Sequence, residues 1–344
     1  MRKNILKLLL LASLSTVLIL GGCSQEKTPE EVSTPEDTAH VTEDAEDEEP
    51  TAAEDVTKET TEEDAIVYDP DKESLVFEEF KLGLFKGYST VEAQTFLKEN
   101  MKYLGVEKAD AAILELDKRL KENQNYYINQ LMDEDVQNAI LLAYNLEDNT
   151  FDIEDLEDDT YKPLIEVVLN NGYKFFPEEG LFYPIVDYRS LQVYDRFTSD
   201  EIRSYLELLA RDSDAPSTSD AHLNIVIDEL AARILLAETH LTKFPEGQTF
   251  DTIYDAYEMY MQFYTVSMAY MGGFDVETRD ISEELLSSYE GFVKDNKETT
   301  SAAIISDYLA VLKEHDNKIN NDVLDFLQDF NDVIVKHIST VIVK

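Results

Sequence analysis

Residues 219–241 read SDAHLNIVIDELAARILLAETHL, and this stretch decides the fold class. Leu223, Ile227, Leu230, Ile234, Ala237 and Leu241 recur at intervals of three and four. That period puts them on one face of an α-helix, whereas the apolar face of a strand repeats every second residue. Ser219 or Asp220 supplies the side-chain oxygen that opens such a helix, and Phe244-Pro245-Glu246-Gly247 stops it. The same period continues on both sides. Ser89-Thr-Val-Glu92 is a capping box before a helix to about Leu104, stopped by Gly105. Between Ala109 and Leu131, Ile113, Leu116, Leu120, Tyr127 and Leu131 share a stripe, and Asp133 to Tyr144 is a shorter helix. Thr198-Ser-Asp-Glu201 caps a helix to about Arg211. Further helices are expected at 250–271, 281–295, 299–315 and 320–340.

The pattern predicts an all-α fold, an irregular antiparallel helical bundle or helical solenoid with an aromatic loop segment. No fixed-period repeat supports a tetratricopeptide array. Strands alternating with helices are missing, which argues against a two-lobed α/β solute-binding architecture.

The chain has 344 residues, 73 Asp+Glu against 29 Lys+Arg, and a net charge of −44. Tracking nucleic-acid phosphates needs a basic face, so a nucleic-acid partner is not expected. With one Cys, neither an intrachain disulfide nor a Cys-based zinc site can form. His40, His222, His240, His315 and His337 give no HxxxH or HExxH spacing. Neither a metal nor a cofactor is expected. The acidic run at 147–159 has alternating oxygens, but Ile153 stands where a calcium loop needs Gly and Asp159 where it needs a bidentate Glu.

The N-terminus carries Arg2, Lys3 and Lys7, an apolar run from Ile5 to Leu20, and then Leu20-Gly21-Gly22-Cys23. The run is too short for an ordinary spanning helix. This arrangement resembles the lipobox of bacterial lipoprotein precursors. The resemblance implies cleavage after residue 22, a diacylglyceryl group on Cys23, and a membrane-anchored protein facing outside the cytoplasm. Two acyl chains anchor stably where one does not. Residues 23–64 then read as a disordered acidic tether, with 17 acids, two bases and no aromatic residue. Roughly 40 residues at up to about 3.3 Å each reach on the order of 100 Å. The helical domain is expected over 65–344, with a possible subdivision near 148–160. That stretch keeps 56 acids against 24 bases, so the domain itself is acidic.

Two stretches suggest a site. Tyr173 to Phe197 holds eight aromatic residues among Pro177, Gly180 and Pro184, and Tyr183, Asp187 and Tyr188 are its candidate ligand contacts. The core Gly180-Leu-Phe-Tyr-Pro184-Ile-Val-Asp187-Tyr188 resembles a segment of uncharacterised Gram-positive surface lipoproteins. That resemblance runs weakly through Asp228-Glu229-Leu230 to the Tyr-rich helix and implies no activity. The Thr252–Met271 helix is apolar nearly all round, so a central buried position is expected. Tyr257, Tyr260 and Tyr264 are its candidate contacts should it line a groove. Arg233, one turn from Glu229, reads as a helical ion pair worth a few tenths of a kcal/mol. No catalytic residue is assigned. The expected function is binding of a neutral or cationic ligand or an envelope protein partner. The alternatives are an envelope hydrolase with paired carboxylates acting on saccharide or wall polymer, and a structural or assembly factor.

Overall fold

A computed structural model describes residues 69–219, 222–270 and 272–342, with side chains up to Ser339. Cys23 and the 23–64 tether lie outside the described residues. Those described belong to one unit, Glu59–Lys344. The fold is predominantly α-helical, with small two-strand sheets.

The chain opens with α1 (Pro70–Phe85), α2 (Thr90–Asn100), α3 (Val106–Leu131) and α4 (Glu134–Ala143). Asp69 caps α1, with Pro70 in its first turn. The capping box before α2 forms as the sequence predicts: Ser89 and Glu92 bond each other's backbone N–H. Gly105 is the N-cap of α3, following a 3-10 turn at Met101–Tyr103. Two short strands, β1 (Tyr144–Asn145) and β2 (Thr150–Phe151), and α5 (Lys162–Asn170) follow.

The aromatic stretch is not a loop. β3 (Tyr173–Glu178) and β4 (Leu181–Val186) form an antiparallel hairpin, with Glu178 opposite Leu181. Glu179 and Gly180 turn it, both with positive φ, 51° and 80°. Two consecutive left-handed residues match the right-handed twist of the flanking strands, and Gly has no Cβ to oppose that conformation. Tyr173, Phe175, Phe182 and Val186 are buried on the inner face, toward α3. Tyr173 donates its hydroxyl to the Leu120 carbonyl at 2.6 Å. Next come α6 (Tyr188–Leu191), a 3-10 turn to Phe197, and α7 (Asp200–Asp214). The α7 cap is Ser199, one residue after the expected Thr198.

The helix read from 219 begins later. Thr218–Ser219 (β5) pairs with His222–Leu223 (β6), and the Ser217 carbonyl accepts from the Asn224 N–H at 2.9 Å. The helix α8 therefore runs Ile227–Lys243. Leu230, Ile234, Ala237 and Leu241 keep their buried stripe, and Leu223 leaves it.

α9 (Phe250–Gln262) passes through a π-turn at Phe263–Ser267 into α10 (Met268–Tyr270). Two contacts open the helical ladder there. Thr265 donates back to the Met261 carbonyl at 2.7 Å, and the Tyr289 hydroxyl donates to the Tyr264 carbonyl at 2.6 Å. The chain ends with α11 (Glu283–Asp295), α12 (Thr300–Glu314), α13 (Asn321–Gln328) and α14 (Phe330–Ile342). The expected 320–340 helix is interrupted at Asp329, which lets Phe326 and Phe330 both pack against Tyr308.

No helix among the described residues is long and apolar enough to cross a membrane.

Candidate functional site

α8 presents Ile227, Asp228, Ala231, Ala232 and Leu235 along one face. α11 presents Glu284, Ser287, Ser288 and Gly291 opposite them. Each set follows the three-and-four spacing of a single helical face. The two faces border an open chamber of about 600 Å³, which Tyr264, from the π-turn, also lines. A second chamber of about 710 Å³ adjoins it, sharing Ile227, Asp228 and Glu284. The second is lined by Leu223, Ile225, Val226, Met268 and Leu285, with His222 and Ser282. Together they make one cleft with Asp228 and Glu284 at its middle, Asp295 toward one end and Met268 and Leu285 toward the other.

Gly291 lines the acidic end. It sits inside α11, where Gly costs a helix about 1 kcal/mol relative to Ala. A Cβ built on it meets nothing within 4 Å. No packing contact requires glycine there, and the space beside it is the cleft. Gly273 is different: a Cβ there would lie 2.3 Å from the Met268 carbonyl oxygen.

Asp228, Glu284 and Asp295 line the acidic chamber, and none of the described residues lining it is a Lys, Arg or His. The Tyr264 hydroxyl pairs with Ser288 Oγ at 2.8 Å. Burial pushes that phenol up to about 12, the Ser288 bond opposes the shift, and the Asp228 charge adds to it. The acids whose pKa burial raises, Asp195 and Glu258, do not line the cleft. No group of three or more His, Cys, Asp or Glu among the described residues could hold a metal ion.

Buried polar clusters hold the scaffold of the cleft. Arg233, on α8, is 1% exposed and is not a surface pair. Its Nε donates to Glu229 at 3.0 Å, and its Nη1 reaches Asp212, the Ala215 carbonyl and Ser217 Oγ, each at 2.8 Å. The guanidinium thereby fixes the start of the segment that carries Leu223, Ile225 and Val226 into the apolar chamber. Glu238, also on α8, is buried and accepts from the N–H groups of Thr300 and Ser301 at 2.6 and 2.8 Å. An anion at these first amides of α12 suits the helix dipole. His240 lies between Ser204 and Thr249, at 3.0 and 2.8 Å. Thr249 spends its hydroxyl proton on Glu201 at 2.8 Å, so His240 Nε2 donates and Nδ1 accepts from Ser204. Burial holds the imidazole pKa below its ordinary value.

The six expected contact residues do not form one site. Tyr264 borders the cleft but is itself fully buried, with its hydroxyl engaged by Ser288. Tyr257 and Tyr260 are buried, and Tyr257 bonds Ser301 Oγ at 2.9 Å. Tyr188 is buried as well, its hydroxyl donated to Asp117 at 2.7 Å beside Tyr205, which donates to the same carboxylate. These three rings are packing, because the helical segments around them cover their faces and their neighbours absorb the hydroxyl of Tyr257 and of Tyr188. Tyr183 and Asp187 are half-buried at the hairpin, with Tyr183 opposite Phe176 and Asp187 3.8 Å from Lys174. Sequence reading missed Asp228, Glu284, Asp295 and Gly291 as a set. The one local signal was a glycine inside an otherwise regular helical pattern.

No protein-family model, curated protein or solved structure matches this chain.

Proposed function

We propose that the chain is a cell-envelope lipoprotein, anchored through Cys23 and facing outside the cytoplasm, whose helical domain binds a ligand or partner in the α8–α11 cleft. The observation that carries the reading is Gly291. A helix-weakening residue stands where the helix faces open space, on the lining of a groove of about 600 Å³. Clefts of this size, part apolar with a few converging polar groups, are where proteins hold small molecules and peptide segments. The acidic lining favours a neutral or cationic occupant.

The test is affinity capture from a lysate of the source organism, using the full chain and its Gly291→Trp variant, with mass spectrometry for proteins and small molecules. A species retained by the parent and absent with Gly291→Trp supports the cleft, provided both variants give the same circular-dichroism melt. Equal recovery from both variants overturns it. The anchor has a separate test. Cys23→Ala should release the protein from the membrane fraction and abolish acyl labelling, and persistence of both in the variant refutes lipidation at Cys23.

A further inference from the structure

We infer that the occupant of the cleft is a basic peptide segment carrying an apolar side chain a few residues from a lysine or arginine. This rests on the cleft being a binding site. The two chambers share Asp228 and Glu284, and they differ in what surrounds that shared pair of carboxylates. One offers Met268, Leu285 and the 72% exposed Val226 to an apolar group. The other adds Asp295 to the shared Asp228 and Glu284, with no base lining it among the described residues. An occupant using both needs an apolar part and a cationic part joined by a spacer.

The spacing selects a peptide. Leu285 and Asp295 stand at opposite ends of the cleft on one helix, ten residues apart. At about 1.5 Å per residue that is roughly 15 Å. An extended peptide covers it in about four to five residues at roughly 3.3 Å each, whereas a single amino acid does not. A polyamine leaves the apolar chamber unused. The chain's own 23–64 segment, with 17 acids, is repelled by the same charge that attracts a basic peptide.

The experiment is a fluorescence-anisotropy titration of the full chain, in detergent micelles, against a dye-labelled decapeptide of alternating leucine and lysine. Peptides alternating serine with lysine and leucine with glutamate are the controls, and spermine is the competitor. The leucine–lysine peptide should bind at least tenfold more tightly than the serine–lysine peptide, and the leucine–glutamate peptide should not bind. Gly291→Trp should abolish binding. Asp228→Asn combined with Glu284→Gln, both at exposed positions, should weaken it at least tenfold while the circular-dichroism spectrum stays that of the folded parent. Binding that survives either variant is general attraction to an acidic protein and overturns the inference. Equal binding of the two lysine peptides, or full displacement by spermine at matched charge, also overturns it. If no peptide binds yet the capture yields a non-peptide ligand lost in Gly291→Trp, this inference falls and the cleft reading stands. If neither binds, both fall.

Discussion

Replacing Arg233 with methionine should cost the fold about 3 kcal/mol, an order of magnitude more than a helical surface pair. The magnitude follows from what the guanidinium holds. Its two carboxylate partners, Asp212 and Glu229, are each 33% exposed, so water can replace much of what they lose. The Ala215 carbonyl, on an exposed residue, can turn to water, but the buried Ser217 hydroxyl loses a charged donor, and a hydrogen bond to a charged group is worth about 1.5–3 kcal/mol. Methionine fills much of the arginine volume, which keeps the cavity contribution small. The assay is urea unfolding of the full chain, comparing midpoints at unchanged slope. Lys81→Met is the control, because the Lys81–Glu78 pair is exposed and should be worth less than about 1 kcal/mol. A loss for Arg233→Met no larger than for Lys81→Met would refute the reasoning. A change in slope would show that the segment after α7 had come loose.

Three other expectations are open to the same measurement. Tyr308 is buried with no partner for its hydroxyl, so Tyr308→Phe should be neutral or up to about 1 kcal/mol stabilising, and a marked loss would mean the hydroxyl is bonded in solution. Gly291→Ala should raise stability by roughly 0.5–1 kcal/mol, while Gly273→Ala should lower it because its Cβ meets the Met268 carbonyl; equal signs would contradict the geometry. His240 has a lowered pKa when folded, so below about pH 6.5 the unfolded chain takes up a proton that the folded chain refuses, and stability falls with acid. His240→Gln should flatten that slope between about pH 7 and pH 5.5, and an unchanged slope would assign it to other groups.

Local chemistry made most helices legible. Ser89 and Glu92 bond each other within one turn, and Leu230 to Leu241 bury the stripe their spacing predicts. What failed depended on partners distant in sequence. Arg233 reads as a local pair with Glu229, but Asp212 and Ser217 lie 21 and 16 residues away and arrive only through the fold. The same contacts explain why α8 starts at Ile227: the preceding residues are held as a hairpin, and a stripe count cannot see the clamp. The hairpin of the aromatic stretch had a period-two signal in Tyr173 and Phe175, masked by the prolines that also suggest a loop. The cleft was the least legible, because a cavity is defined by what two helices fail to fill. Asp228 and Glu284 look like ordinary first-turn acids on their own helices.

The anchoring of Glu238 has a consequence for how the fold responds to salt. Its charge is answered by main-chain amides at the start of α12 rather than by lysine or arginine. Glu201 on Thr249 and Asp110 on Ser199 follow the same rule, while Glu73 takes both the Gly105 amide and, at 3.4 Å, the Lys108 ammonium. A fold with 56 acids and 24 bases could not rely on ion pairs throughout. Amide contacts inside the protein are screened far less by dissolved ions than exposed pairs are, while repulsion among the surface acids is screened strongly. Added salt therefore relaxes the repulsion that strains this fold and spares these amide contacts, so its stability should rise with ionic strength where a fold joined mainly by exposed ion pairs would lose some.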